Sequence, residues 1–355
     1  MFRRKTFTAV DIGAGEIKIA VLSCRRRRVI CNLLHRYLNP GMEHLEGNRI
    51  DELAAALKAA FKSAPGAGRK VITAIEGQRV ITRQLRLPEM PLKELEQAAV
   101  WEAEKLVPLP VDELVIRPVV LGESQDGESR LFTVLQVAVS KELVYRYYEV
   151  FDRAGLQITA IDLQHLALWR VFHGSFGYPV HDGGGVRAVL DLGFSSSQFI
   201  VIKGQELVYV RSFPVELGKL LPAGVIEPAP AEPAPPPEGM EIPDGEAAAA
   251  AEDLSGEYAG YDEAQFEHLG ELVREIRRTL DFYQLQERDN PVDTLVVTGG
   301  FSKIKGLPAY LAGQLGIRVA AGFPRLHFRD VKNPPRVLDP AFSVAVGLAL
   351  RGVLQ

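Results

Sequence analysis

The chain has 355 residues, an apolar content of 47% and a formal net charge of −4. These values are typical of a globular protein with about two or three packed units, and the weak negative charge gives no general attraction to nucleic acid, so we expect no nucleic-acid partner. Two cysteines, Cys24 and Cys31, are too few for a disulfide scaffold and fit a reducing cytoplasm. No apolar run is long enough for a secretory signal or a membrane span, so we expect a soluble cytoplasmic protein.

Residues 8–22 contain an apolar strand that ends in Asp11 and leads through Gly13-Ala14-Gly15 into an alternating strand. An aspartate at the end of a buried strand is costly to desolvate unless it meets a cation. A glycine-rich turn directly after it brings backbone N–H groups close to a ligand and directs them at an anion. The pattern predicts a hairpin that presents a carboxylate and a phosphate-binding turn.

Between residues 51 and 172 the periodicity predicts an alternation of helices and strands. Helices are predicted over 51–61, 92–106, 141–154 and 163–172, and strands over 71–75, 80–87, 114–121, 130–140 and 157–162. The order helix–strand–strand–helix that follows Pro88 and is closed by Gly155 predicts an inserted subdomain, 88–155. The remaining pieces, 1–87 and 156–181, are predicted to form the first lobe.

A second copy of the first segment lies at residues 188–203, where a strand ends in Asp191 and a turn follows through Gly193-Phe194-Ser195-Ser196. Two copies about half a chain apart predict two similar halves that face each other. Each half would offer a glycine turn and a carboxylate to one phosphate chain and its Mg²⁺. We place the second lobe at 186–355.

The composition of the second lobe changes abruptly after Pro222. Eight of the 23 prolines lie between Pro222 and Pro243, and no lysine or arginine occurs from Leu220 through Val273. Such an acidic, Pro/Ala-rich stretch buries too little apolar surface to order itself, so we predict that 222–260 is a disordered loop. The later predicted elements are helices over 263–287, 307–315 and 341–350, and a strand over 294–298 that leads into Gly299-Gly300.

This order of motifs, two strand-Asp-Gly hairpins followed by a strand-Gly-Gly-helix segment, resembles the actin-like ATPase superfamily. Within it, the chain resembles the type IV pilus assembly family PilM, itself similar to the cell-division protein FtsA. The most specific phrase runs from Met90-Pro91 through Glu102-Ala103-Glu104-Lys105 to Glu113, and further matches are Leu280-Asp281-Phe282-Tyr283 and the segment from Thr298 to Leu307. The resemblance covers nearly the whole chain except 222–260.

The resemblance implies an α/β fold, namely the actin-like (ribonuclease H-like) two-lobe fold with an inserted subdomain of the FtsA/PilM type. It also implies that ATP and Mg²⁺ bind between the lobes. The residues implied in binding ATP are Asp11, Gly13, Ala14, Gly15 and Lys18 in the first phosphate loop, Asp191, Gly193, Ser195 and Ser196 in the second, and Gly299, Gly300 and Phe301 beside the adenosine. Asp11 and Asp191 would hold the Mg²⁺ through water. Glu216 and Lys219 are either a remnant of an adenine contact or a solvated face.

By the same resemblance, the partner is the N-terminal peptide of a PilN-like inner-membrane protein, held in a groove near the inserted subdomain. The protein would then be a cytoplasmic ATP-binding adaptor, peripheral at the inner membrane through its partner and at most a slow ATPase, and self-association stays open. One alternative is a nucleotide-free scaffold similar to the cytoplasmic domain of GspL. Another is a small-molecule kinase, with Asp162 as the candidate catalytic base, although Asp162 also fits the N-cap of the helix predicted from residue 163.

Overall fold

The structure is a computed structural model that describes residues 5–25, 28–39, 49–75, 77–105, 109–127, 129–173, 185–215, 217–220, 263–304, 306–324, 327–328 and 339–354. The loop predicted at 222–260 lies outside the described residues, and so does Glu216.

The first half of the chain alternates strands and helices from the start. In chain order its elements are β1 (Thr6–Ile12), β2 (Glu16–Arg25), β3 (Arg28–Leu38), α1 (Arg49–Ser63), β4 (Lys70–Ile75), β5 (Ile81–Pro88), α2 (Leu92–Glu104), β6 (Leu114–Asp126), β7 (Ser129–Ser140), α3 (Lys141–Arg153), β8 (Gln157–Leu163) and α4 (Gln164–Phe172).

The second half begins with a similar three-stranded unit. Its elements are β9 (Val186–Leu192), β10 (Ser196–Lys203), β11 (Glu206–Pro214), α5 (Glu263–Gln286), β12 (Val292–Thr298), α6 (Leu307–Leu315), β13 (Arg318–Ala321), β14 (His327–Phe328) and α7 (Ser343–Leu354). The predicted helices and strands are all present, with ends that differ by a few residues. Gly316 ends α6 in the left-handed conformation, with φ of 70°, as its position after the helix predicted.

The two halves repeat one topology. In the first, β1, β2 and β3 are antiparallel neighbours, and β4 returns parallel to β1 after the helix α1. In the second, β9, β10 and β11 are antiparallel neighbours, and β12 returns parallel to β9 after α5. The resulting sheets have the orders β14-β3-β2-β1-β4-β8 and β11-β10-β9-β12-β13. The central strands β1 and β9 are mostly buried, and their apolar residues lie in the core together with the polar Thr8 and Arg187.

A third sheet, of order β5-β7-β6, is inserted in the chain between β4 and β8 of the first sheet. The sequence analysis assigned 80–87 to the first lobe, but β5 pairs with β7 along its whole length, from Ile81 opposite Ala138 to Pro88 opposite Leu131. The alternation of apolar and polar residues in β5 predicts a strand but does not identify the strand that pairs with it. That partner, β7, lies about 50 residues further along the chain. The subdomain boundaries themselves stay a prediction.

Helix α7 packs against β1, β2 and α4, which belong to the first half, although the sequence analysis placed it in the second lobe. Its buried residues surround the helix axis: Val344, Ala345, Val346, Gly347, Leu348, Ala349 and Leu350. A helix that is apolar all round must be covered on every side. At Gly347 a side chain would overlap the backbone of Ala167 in α4, so the two helices are in direct backbone contact. None of the helices in the described ranges is long and apolar enough to cross a membrane.

Candidate functional site

The two glycine turns have the same local geometry. In the first, the N–H of Gly13 donates to the carbonyl of Glu16 over 2.9 Å, and in the second, the N–H of Gly193 donates to that of Ser196 over 3.1 Å. A Cβ at Gly193 would lie 2.5 Å from the Ser196 carbonyl oxygen, so a larger residue cannot form this turn. We call residues 13–15 loop 1 and residues 193–195 loop 2.

Three charged groups of the predicted site converge between the loops. The Lys18 ammonium lies 3.3 Å from a carboxylate oxygen of Asp11. Burial opposes the charge on Lys18, but the nearby carboxylates of Asp11, Glu16 and Asp191 outweigh it and raise the pKa of Lys18. Asp191 comes from the other half of the chain, where it precedes loop 2, and the Phe194 ring of loop 2 lies against Gly15 of loop 1, which brings both hairpins to one cleft.

The cleft holds more negative charge than Lys18 neutralises. Burial raises the pKa of Asp191 to about 7, and repulsion from Asp11 adds to that shift while Lys18 counteracts it. A carboxylate whose ionisation is penalised in this way gains from a further cation. In the part of the chain that the structure describes, no three His, Cys, Asp or Glu side chains group together as metal ligands. The two carboxylates of Asp11 and Asp191 are a donor set that fits a hydrated cation carried by a phosphate ligand.

A third segment joins the loops at the end of β12. Gly299 has a φ of 91°, and a Cβ there would lie 2.5 Å from the Leu192 carbonyl and 2.7 Å from a carboxylate oxygen of Asp191. Glycine is required at this position by both conformation and space. Gly300 has open space around it, and Phe301 contacts the ring of Phe194 edge-on at 6.1 Å between centroids. The strand-Gly-Gly segment thus lies directly against loop 2.

The predicted serines lie on loop 2 and at the start of β10, and both are partly exposed. The Ser195 carbonyl accepts a hydrogen bond from the Val215 N–H at 3.3 Å, which fastens the loop to the end of β11. The side chain of Ser196 lies 3.5 Å from the amide nitrogen of Gln198. The side chain of Lys219 lies outside the described residues, so its predicted adenine contact stays a prediction.

Asn39, which the sequence analysis missed, fastens loop 1. Its side-chain amide donates to the Gly13 carbonyl over 2.9 Å, and its backbone N–H donates to the Gly15 carbonyl over 2.9 Å. The residue is buried, at 1% exposure. It follows β3 and lies 26 residues beyond Gly13 in the chain, so no local motif indicates the contact.

A chain of charges links loop 1 to the segment after Gly300. Arg36 bonds Glu16 at 3.2 Å and Asp339 at 2.6 Å, and Asp339 also binds Lys303 at 3.1 Å. Burial alone would raise the pKa of Asp339, but the N–H of Ala341 and the charges of Lys303 and Arg36 lower it. These pairs hold together three parts of the chain around the cleft.

Asp162, the candidate catalytic base, is engaged elsewhere. It is buried and ion-paired with Arg170 at 2.8 Å and with Arg351 at 3.3 Å. Its other oxygen accepts from the Leu163 N–H at 2.8 Å, and α4 begins one residue later without a side-chain cap. The predicted N-cap is therefore wrong, since the strand β8 continues through Leu163. The two guanidinium groups, one from α4 and one from α7, thus pair with the buried carboxylate where these helices pack.

A separate groove of about 670 Å³ lies between α3 and the start of β8. Its lining has one aromatic, two acidic, one amide and two aliphatic side chains, namely Tyr148, Glu149, Asp152, Gln157, Leu156 and Ile158. β8 is the last strand of its sheet in the described ranges, so its outer edge has no strand partner there.

The sequence profile of the family described as type IV pilus assembly protein PilM matches residues 9–222 and 237–353. The chain belongs to this PilM family. Its structure is similar to a solved PilM-PilN type IV pilus biogenesis complex, with 25% identity, 98% of each chain covered and a TM-score of 0.76. The predicted PilM resemblance and actin-like α/β fold are confirmed.

Two other solved structures are more weakly similar to this PilM family member. A Bacteroides thetaiotaomicron protein with an actin-like ATPase fold has 10% identity and a TM-score of 0.47, covering 89% of this chain and 90% of that one. The cytoplasmic domain of EpsL, an inner-membrane component of the type II secretion system of Vibrio cholerae, has 11% identity and a TM-score of 0.42, covering 98% and 95%.

Proposed function

We propose that the protein is an ATP-binding adaptor of type IV pilus assembly, located in the cytoplasm and peripheral at the inner membrane. The nucleotide sets the arrangement of the two halves, and the protein recruits the N-terminal segment of a PilN-like membrane protein. The observation that carries the nucleotide part is the convergence of Asp11, Lys18 and Asp191 with two glycine turns at one cleft.

The residues of the cleft suit MgATP in chemical type and position. The Lys18 ammonium and the N–H groups of loops 1 and 2 other than those of Gly13 and Gly193, which close the turns, would be donors for phosphate oxygens. Asp11 and Asp191 would hold the water shell of Mg²⁺, and Gly299 with Phe301 would lie beside the adenosine. When bound, Mg²⁺ would reduce the repulsion between the negative charges of the triphosphate and of the two carboxylates.

We expect slow hydrolysis at most. In-line attack on the terminal phosphate needs a group that orients a water molecule or accepts its proton. Asp162 is ion-paired with Arg170 and Arg351, so it is unsuited to that role, and the same observation gives no support to a kinase.

The groove between α3 and β8 is our candidate for the partner peptide. An extended segment can add to a free strand edge and place alternate side chains in the groove beside it. Tyr148, Leu156 and Ile158 would receive apolar side chains, and Glu149 and Asp152 would receive basic ones. The similarity to a PilM-PilN complex supports a PilN-like protein as the source of that segment.

The test is calorimetric titration with MgATP of the wild type and of Asp11→Ala with Asp191→Ala. A matched control replaces two exposed carboxylates of α5 and its C-terminal turn, Asp281→Ala with Asp289→Ala. We expect the site variant to bind at least about a hundredfold more weakly, because two charge-assisted interactions with the hydrated ion are lost, and the control to bind like the wild type. Absence of binding by the wild type, or equal binding by the site variant, would contradict the proposal.

A nucleotide-free scaffold is the second candidate function, and one observation favours it. The ring of Phe194 on loop 2 packs directly against Gly15 of loop 1. The titration of the wild type decides between the two candidates.

A further inference from the structure

The two phosphate loops differ most in side-chain volume at their second position. Loop 1 runs Gly13-Ala14-Gly15 and loop 2 runs Gly193-Phe194-Ser195, and the equivalent turn bonds of Gly13 and Gly193 align Ala14 with Phe194. One half therefore carries a methyl group where the other carries a phenyl ring. No other part of the two turns differs so much in volume.

The Phe194 ring contacts three segments around the cleft. A Cβ added to Gly15 of loop 1 would lie 3.0 Å from the ring, and one added to Gly218, in the short helix Leu217–Leu220, would overlap it. The ring of Phe301 lies edge-on at 6.1 Å. The absence of side chains at Gly15 and Gly218 is what makes room for the phenyl ring.

The backbone of Phe194 is fixed by hydrogen bonds, whereas its side chain makes none. The Phe194 carbonyl accepts from the Gly218 N–H at 3.0 Å, and the next carbonyl, of Ser195, accepts from Val215. The ring is partly exposed and makes van der Waals contacts only. Rotation about its side-chain torsions is therefore the least costly way to open the space between the loops.

We propose that Phe194 is an affinity-determining residue that occludes the cleft between loop 1 and loop 2. A triphosphate that contacts both loops needs the space in which the ring meets Gly15, so the ring must rotate away before the ligand binds. This inference rests on the proposed function, because it concerns the same nucleotide. If the ring is rotated away in only a fraction of the molecules, the apparent affinity for the nucleotide is the intrinsic affinity multiplied by that fraction.

The experiment is calorimetric titration of the wild type, Phe194→Ala and Phe194→Leu with MgATP and, separately, with adenosine. We expect Phe194→Ala to bind MgATP about tenfold more tightly than the wild type, as for a cleft that is open about one tenth of the time. Phe194→Leu keeps most of the bulk and should bind with intermediate affinity. Adenosine does not reach both loops, so its affinity should not improve.

A gain for MgATP without a gain for adenosine separates occlusion from a general loosening of the fold. Weaker binding of MgATP by Phe194→Ala would mean that the ring stacks on the ligand, and unchanged binding would mean that the ring lies outside its path. Either result overturns the inference and leaves the proposed function standing. If none of the three proteins binds MgATP, the proposed function fails as well.

Both variants can be checked for folding without a ligand. Hydrogen exchange of the free proteins should show faster exchange at the amides of residues 14–16 in Phe194→Ala, because the ring no longer covers Gly15. Exchange in the core strands β1 and β9 should be unchanged. Phe194→Leu serves as the test protein if Phe194→Ala does not fold.

Discussion

At the scale of single residues, Asn39 illustrates how a glycine turn is kept in one conformation. Glycine adopts turn conformations readily, but it loses more conformational entropy on folding than any other residue. A loop with two glycines therefore has to be held in place by its surroundings. Asn39 supplies that order from outside the hairpin by bonding the carbonyls of both Gly13 and Gly15. Loop 1 is then held in one conformation before any ligand arrives.

We expect Asn39→Ala to bind MgATP about five- to tenfold more weakly and to lose about 1 kcal/mol of unfolding free energy, since one buried hydrogen bond is removed. The matched control is Asn32→Ala in β3, where the side-chain amide donates to the Ser23 hydroxyl and the Ile30 carbonyl. Ser23 lies at the opposite end of the β1–β2 hairpin from loop 1. Calorimetry gives the affinities and urea unfolding gives the stabilities. Equal affinities for the two variants would show that Asn39 does not order loop 1 for binding.

At the scale of elements, one side of α3 is buried in the core and the other side is exposed. Its inward side places Tyr147, Val150 and Phe151 in the core next to α1. Its outward side carries Tyr145 and Tyr148, which are 68% and 47% exposed. Only Tyr148 reaches the groove beside β8, so neighbouring tyrosines on one helix differ in their relation to the proposed peptide site.

This difference gives a direct test with a labelled N-terminal peptide of a PilN-like protein, followed by fluorescence anisotropy. We expect Tyr148→Ala to weaken binding at least about tenfold, because an aromatic side chain in a groove contributes about 1–2 kcal/mol or more. Tyr145→Ala should bind like the wild type. Equal effects of the two substitutions, or none, would place the peptide elsewhere.

At the scale of the whole molecule, α4 connects the two halves. His165 of α4 lies 3.0 Å from the hydroxyl of Ser212 in β11, and the indole of Trp169 donates to the Gln205 carbonyl at 2.8 Å. Burial lowers the pKa of His165 to about 4, from an ordinary value of 6.5. The folded protein therefore holds this side chain neutral under conditions in which the unfolded chain would bind a proton.

The sign of the resulting pH dependence follows from proton linkage. The unfolded state binds the proton between about pH 6.5 and pH 4 and the folded state does not, so the free energy of unfolding falls over this window as the pH is lowered, by up to about 3 kcal/mol. We expect His165→Gln to lack this part of the acid sensitivity. Urea unfolding of both proteins at pH 7, 5.5 and 4 measures it, and parallel curves for the two would refute the assignment.

The sequence predicted those parts of the site that depend on local patterns. The strand-Asp-Gly motif around Asp11 and Asp191 is contiguous, and its repetition indicated that the two loops belong together. The contacts that complete the cleft join residues far apart in the chain, such as Arg36 and Asp339, which are 303 residues apart. No periodicity carries that information, and the same limit explains why the sequence did not indicate the pairing of β5 with β7 or the packing of α7 on β1 and β2. Phe194 was visible in loop 2, but its contact with Gly15 depends on how the two halves meet.

The packing of α7 on β1 and β2 also constrains how the protein reaches its native state. Ribosomes add about 5–20 residues per second, so the segment that pairs Asp339 with Arg36 emerges about 15–60 s after its partner, given their separation of 303 residues. Throughout that interval β1 and β2 expose the apolar surface that α7 later covers. The nascent chain therefore cannot bury this surface until residues 343–354 have left the exit tunnel.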